Sequence, residues 1–337
     1  MKLRSIGWPR ELDSAQVRLS VGTSIIACLI LLAVLAPFLS PYDPEETNPN
    51  ERIQPPSLTH VFGTDHFGRD ILSRVIFGSR ISLVVGIISV GIALFTGIFL
   101  GSIAGYYRGK MDETIMRTMD ALFAFPAILL AIALVAVLGP SITNAMMAIG
   151  VVYTPYFVRL VRGVVLSVRE NDFIRAARAL GESNIYIIFR EVLPNCVAPI
   201  LVQTTTFLAY AILMEAALSF LGLGTQPPTP SWGRMLSEAR GFTEDAPWIA
   251  IFPGAAIMIA VLGFNSLGDG LRDILDPRYL GTGLSRLASI IPSLKSFLER
   301  STLRRIGSSD EKLVREAVHQ GQNLSKRRKP VVHSNAR

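Results

Sequence analysis

Apolar positions in this chain fall in long unbroken runs. Residues 21–39, 81–107, 121–158, 192–214 and 246–268 contain no Asp, Glu, Lys or Arg. A helix needs about 20 apolar residues to cross the hydrocarbon core of a bilayer. Each run is near that length or longer. The run 121–158 has room for two crossings, divided at the helix-breaking Gly139-Pro140-Ser141. The pattern predicts an all-α membrane protein with six transmembrane helices, over roughly 20–39, 81–106, 119–138, 143–161, 197–221 and 249–268. A soluble enzyme is excluded.

The polar segments between the runs set the organisation. No small-residue cleavage pattern follows the first run, so it reads as a span rather than a signal peptide. Residues 41–60, rich in Pro, Asn and Glu, read as an extracytoplasmic loop. Residues 64–80 carry Asp65, Arg69, Asp70, Arg74 and Arg80 among Phe67, Ile71, Leu72, Val75 and Ile76, a spacing that predicts an amphipathic helix at the interface. Gly97, Gly101 and Gly105 bare one stripe of the second span for close approach by a neighbour. Residues 222–248 read as a Pro-rich loop. Basic residues gather before the first span (Lys2, Arg4, Arg10, Arg18), at 108–117, and at Arg162, Arg169, Arg175, Arg178 and Arg190. The positive-inside rule puts these segments, and both termini, in the cytoplasm. The four arginines of 40–80 run against it and are accompanied by six acids.

Composition sharpens the division. The chain has 337 residues, half of them apolar and 18% charged, with net charge +7. Residues 282–337 hold 12 Lys+Arg and 4 Asp+Glu, so all the basic excess lies in the C-terminal tail. The expected domains are a cytoplasmic N-terminus over 1–19, a membrane domain over 20–280 and a basic cytoplasmic tail over 281–337. The tail begins with Leu284, Leu287, Ile290, Ile291, Leu294, Phe297 and Leu298 between basic residues. That pattern suits either a basic amphipathic helix on the anionic inner leaflet or a solvated extension. Residues 307–337 read as disordered, and their basic run Lys326-Arg327-Arg328-Lys329 suits the bilayer surface rather than nucleic acid.

Catalytic chemistry is not visible. Gly105-Tyr106-Tyr107-Arg108-Gly109-Lys110 is short by one residue for a phosphate loop, and no Ser or Thr follows the lysine. His60, His66, His319 and His333 are scattered, and Cys28 and Cys196 have no metal-ligand or disulfide spacing. No catalytic residue, metal or cofactor is expected. Polar groups within spans are the candidates for a translocation path: Glu215 first, since an ionisable group in a membrane is costly, then Asn265 and Gln203. For each, and for Asn144, interhelical hydrogen bonding is the competing role. Pro126, Pro199 and Pro253 mark bends or the starts of spans.

Residues 172–194 are the most informative segment. Phe173, Ala177 and Leu180 share one helical face, Gly181 ends or bends that helix, and Ile185, Ile188, Phe189 and Val192 form a second apolar face before Leu193-Pro194. Such faces either pack beneath the membrane body or dock into a cytoplasmic partner.

Ala176-Ala177, Gly181 and Leu193-Pro194 resemble the "EAA" loop of binding-protein-dependent ABC permeases. Arg175 stands where the motif's name has Glu, and Glu191 where the peptide branch usually has His. Further segments resemble the dipeptide/oligopeptide/nickel branch: Phe62-Gly63-Thr64-Asp65 with Gly68-Arg69-Asp70 and Ser73-Arg74, then Leu218–Gly224 with Pro227, Pro228, Ser231, Trp232 and Gly233, then Asp276-Pro277-Arg278. The resemblance implies the type I importer permease fold and the second (C-type) permease subunit, in the inner membrane of a prokaryote. It makes Ala176, Ala177, Leu180, Gly181, Leu193 and Pro194 the site that couples to ATPase subunits. The implied partners are a second permease, two ATPases and an extracytoplasmic binding protein, with peptides as cargo and nickel or oligosaccharide as alternatives. An ion-coupled secondary transporter is the competing class. It calls for several intramembrane carboxylates, whereas Glu215 alone stands plainly within a span.

Overall fold

The computed structural model describes residues 9–275. The expectations for residues 1–8, for the tail and for Asp276-Pro277-Arg278 lie outside them. The described residues are helical, apart from turns and a lone antiparallel bridge between Thr64 and Asp70. In chain order the helices are α1 (Pro9–Val34), α2 (Ala36–Leu39), α3 (Ile71–Tyr107), α4 (Gly109–Phe123), α5 (Ala127–Leu138), α6 (Ile142–Arg169), α7 (Asp172–Ala179), α8 (Asn184–Ile187), α9 (Leu193–Phe220), α10 (Trp232–Ala239) and α11 (Trp248–Leu275). Helices α1, α3, α6, α9 and α11 carry stretches long and apolar enough to cross a membrane. The bent pair α4–α5 makes a sixth if its arms count as one crossing.

Three expectations change. The separate interfacial helix over 64–80 does not form. Residues 64–70 make a turn, and the Asp70 carboxylate then caps α3 by accepting from the Ser73 amide (2.8 Å). Nothing after Arg80 interrupts the helix, so α3 runs for 37 residues, about 56 Å and well beyond the hydrocarbon thickness. The third span is not straight. Pro126 has no amide hydrogen and disfavours helical geometry at Phe125, and α4 and α5 meet at 89°. The Pro-rich loop 222–248 contains α10, started by Ser231 Oγ, which accepts from the Arg234 amide (3.3 Å).

Helix pairing follows side-chain size. A Cβ on Gly97 would come within 2.3 Å of Phe157 Cβ, and one on Gly105 within 2.8 Å of Val165 Cβ, so the predicted bare stripe is the seam between α3 and α6. Its apolar neighbours include Val85, Val90, Ile149 and Val152, joined by Ala131 and Val135 of α5 and Phe207 of α9. A second cluster joins Ile26 and Leu29 of α1 to Ile257 and Phe264 of α11, with Ile212 of α9. Asn144 closes the α5–α6 hairpin, its amide donating to the Leu138 and Gly139 carbonyls (2.9 Å each). That is a local bond within the hairpin.

Candidate functional site

The loop after α6 is shaped by local signals. Leu180 ends α7, and Gly181 follows with φ +82°. The Gly181 amide donates to the Arg178 carbonyl (3.0 Å), and the Glu182 amide to that of Ala177 (3.2 Å). This paired closure needs a left-handed residue after the helix, which glycine supplies at little steric cost. Ser183 Oγ then accepts from the Tyr186 amide (3.3 Å) to start α8. A π-helical turn over Ile188–Val192 leads into α9, just before Pro194, where a regular helix would lose a bond. Asn195 Nδ2 donates back to the Glu191 carbonyl (2.6 Å).

The two faces expected in 172–194 do not each point one way. Ile174, Ala177, Ile187, Ile188 and Val192 turn inward and pack with Val161, Val165, Val168, Cys196 and Ile200. Phe173, Leu180, Ile185 and Phe189 turn outward, with Leu180 at 83% and Phe189 at 68% exposure. Ala176, Gly181 and Pro194 are also exposed, while Leu193 is half-buried. Ala177 thus parts from Phe173 and Leu180. Helical spacing defines a face, but not which of its edges meets a neighbouring helix.

The opposite end of the bundle holds a buried ionic cluster. Arg69 Nε meets Asp65 Oδ2 (2.6 Å), and its Nη2 meets Glu238 Oε2 (2.6 Å). Arg74 also reaches Glu238 (3.1 Å) and donates to the Pro44 carbonyl (3.1 Å). Arg234 binds the other Glu238 oxygen (3.1 Å). Trp232 Nε1 donates to the Val75 carbonyl (3.0 Å). Two segments that carried the family resemblance are thereby locked together. Glu238 was missed in the sequence. Its signal was Arg234 four residues earlier, on a helix hidden in a segment read as loop. Beside the cluster, His66 stacks on Phe242 (4.9 Å). Burial pushes the His66 imidazole below its ordinary 6.5, against the pull of Asp65 and Glu238.

Glu215 is wholly buried among hydroxyls. Ser219 Oγ donates to its Oε1 (2.7 Å) and Ser82 Oγ to its Oε2 (3.3 Å), joining α9 to α3. Gln203 on α9 and Asn265 on α11 are half-buried. No hydrogen bond joins either of them to Glu215.

Residues 97–281 match the model of the binding-protein-dependent transport system inner membrane component. The chain belongs to that family. Residues 20–56 of this permease match the N-terminal TM domain of oligopeptide transport permease C. The permease is 55% identical to the dipeptide transport system permease protein DppC of Alkalihalophilus pseudofirmus over 77% of its own chain and 85% of the relative. It is 46% identical to the glutathione transport system permease protein GsiD of Pectobacterium atrosepticum, over 80% and 90% respectively. Against the MetNI methionine ABC transporter, solved in inward-facing conformations, the TM-score is 0.51 at 17% identity, over 59% of this chain and 94% of that one. The likeness identifies the fold as that of an ABC importer permease. The permease is a multi-pass protein of the bacterial inner membrane.

Proposed function

We propose that this permease is one of two membrane subunits of an ATP-driven peptide importer. In this reading both ends of the chain are cytoplasmic. A second, similar permease completes the path, an extracytoplasmic binding protein delivers the peptide, and two ATPase subunits hydrolyse ATP. The dipeptide cargo of the DppC relatives supports peptide rather than nickel or oligosaccharide.

The observation that carries the coupling assignment is the division of the 172–194 loop. Its inner side is anchored to α6 and α9 by aliphatic packing, while Phe173, Leu180, Ile185 and Phe189 stand in the open. Four large apolar side chains on a held platform suit a cleft on a separate subunit. Ala176, Leu180 and Gly181 would form its contact edge, with Ala177, Leu193 and Pro194 setting its shape. Gln203 and Asn265 are the candidates for the translocation path. The hydroxyl cage around Glu215 favours an anchoring role for that carboxylate.

Leu180→Glu tests the reading, because it places a charge where an apolar contact is proposed. The variant should pair normally with the second permease and fail to retain the ATPase subunits on affinity capture. Wild-type ATPase retention and wild-type dipeptide uptake would defeat the assignment.

A further inference from the structure

The near-miss to a phosphate loop, Gly105-Tyr106-Tyr107-Arg108-Gly109-Lys110, lies where α3 ends against the 172–194 loop. Gly105 lets the last turn of α3 rest on α6. Tyr106, 4% exposed, then meets three elements at once. Its hydroxyl donates to Asn184 Oδ1 (2.9 Å), the first residue of α8. Its carbonyl accepts from Arg169 Nη1 (2.5 Å), the last residue of α6. Its ring faces the guanidinium of Arg178 on α7, 5.0 Å from the centroid, and that of Arg169 at 5.7 Å. Two residues on, Arg108 pairs with Glu170 (2.6 Å), where α6 turns toward α7.

These contacts differ in kind from the rest of the loop's anchorage. Ile174, Ala177, Ile187 and Val192 hold α7 and α8 by aliphatic packing, which resists separation but is not directional. A hydrogen bond weakens steeply as its angle departs from linear, so it fixes rotation and register. The Tyr106 side chain is placed to supply that direction from the end of the tight α3–α6 pair.

We propose that Tyr106 is a positioning residue for energy coupling. It ties the rigid α3–α6 pair to α7 and α8, so that movement imposed on the loop's outer side is transmitted to the spans instead of being lost as sliding. The inference rests on the reading of 172–194 as the ATPase-coupling loop.

The test uses the full importer complex with Tyr106→Phe, which keeps the ring and removes only the hydroxyl, and Asn184→Ala, which removes the same bond from an exposed partner. Both variants should assemble with the second permease and the ATPases. Amide exchange over 172–192 should rise about fivefold, as expected for one net hydrogen bond. The ATP hydrolysed per dipeptide imported should rise several-fold in reconstituted vesicles. The double variant should be no worse than either single one. Unchanged exchange or an unchanged ATP-to-peptide ratio in both variants overturns the inference, and so does loss of assembly in both, since Tyr106 would then hold the fold only. Leu180→Glu separates the two readings. If it releases the ATPases while Tyr106→Phe behaves as wild type, the Tyr106 inference alone fails. If it retains them, the coupling reading fails and the inference with it.

Discussion

The two ends of the helical bundle hold their charges in opposite ways. At the end built from residues 40–70 and α10, Asp65, Arg69, Arg74 and Glu238 have side-chain exposures between 1% and 8%, and each meets at least one opposite charge. At the other end, Arg159–Asp120 is a single pair and Glu170 is shared by Arg108 (2.6 Å) and Arg175 (3.8 Å), all of them about half exposed or more, beside exposed Leu180, Ile185 and Phe189. A buried ionic cluster stays intact only if every member is present, because removing one strands the others in low dielectric. Exposed pairs let water take the place of a lost partner. The buried charges of the first end are therefore satisfied among the described residues. Among the described residues the second end leaves Leu180, Ile185 and Phe189 uncovered, and its exposed ion pairs tolerate adjustment.

The largest expected effect tests the first half of that contrast. Glu238→Gln leaves Arg69, Arg74 and Arg234 without their shared carboxylate, and should destabilise the permease by about 3 kcal/mol or more, read as a fall in the thermal midpoint of the detergent-purified complex. A shift as small as that of a surface variant would mean that water reaches the cluster. Gly181→Val comes next. No atom lies within 4 Å of a Cβ at that position, so the cost is backbone strain at positive φ, about 1–2 kcal/mol. Insertion and pairing should survive while coupled uptake falls, and wild-type uptake would show that the turn accepts another geometry. Asp120→Asn removes an exposed pair and should change stability by under about 1 kcal/mol, with Arg159 still stacked on Phe123 (4.0 Å). A larger loss would place this end in the same class as the other.

The smallest expected effect is a pH dependence. The His66 imidazole is held below its ordinary 6.5 by burial, so the unfolded chain takes up its proton first as pH falls. Stability contributed at this position is full above about pH 6.5 and declines below it. His66→Gln should flatten that part of a thermal-midpoint profile between pH 7 and 5. An unaltered slope would assign the dependence to another group.

Much of the fold is legible in the residues. The charge-free runs mark the spans because a bilayer core excludes unpaired charge, and the stripe Gly97, Gly101, Gly105 marks the seam with α6 because side-chain size limits helix approach. Gly181 marks the turn in the 172–194 loop. The departures share a cause. Arg69 and Arg74 look interfacial when their partners are unknown, since Glu238 lies more than 160 residues away. Ala177 looks like a docking residue because a helical period is symmetric with respect to what covers it.

The sequence by itself determined how many apolar segments this permease has, the glycine turn that ends α7, and which family it resembles. All of these rest on local physics: transfer of side chains to hydrocarbon, capping, and the steric freedom of glycine. The tertiary structure alone decided that Arg74 is buried, that the third span bends by 89°, that Ile174 and Ala177 face inward while Leu180 faces out, and that Tyr106 meets α6, α7 and α8. Each of those depends on which distant group occupies the space beside a residue. Burial, charge pairing and direction are properties of that space, and it exists only once the helices have packed.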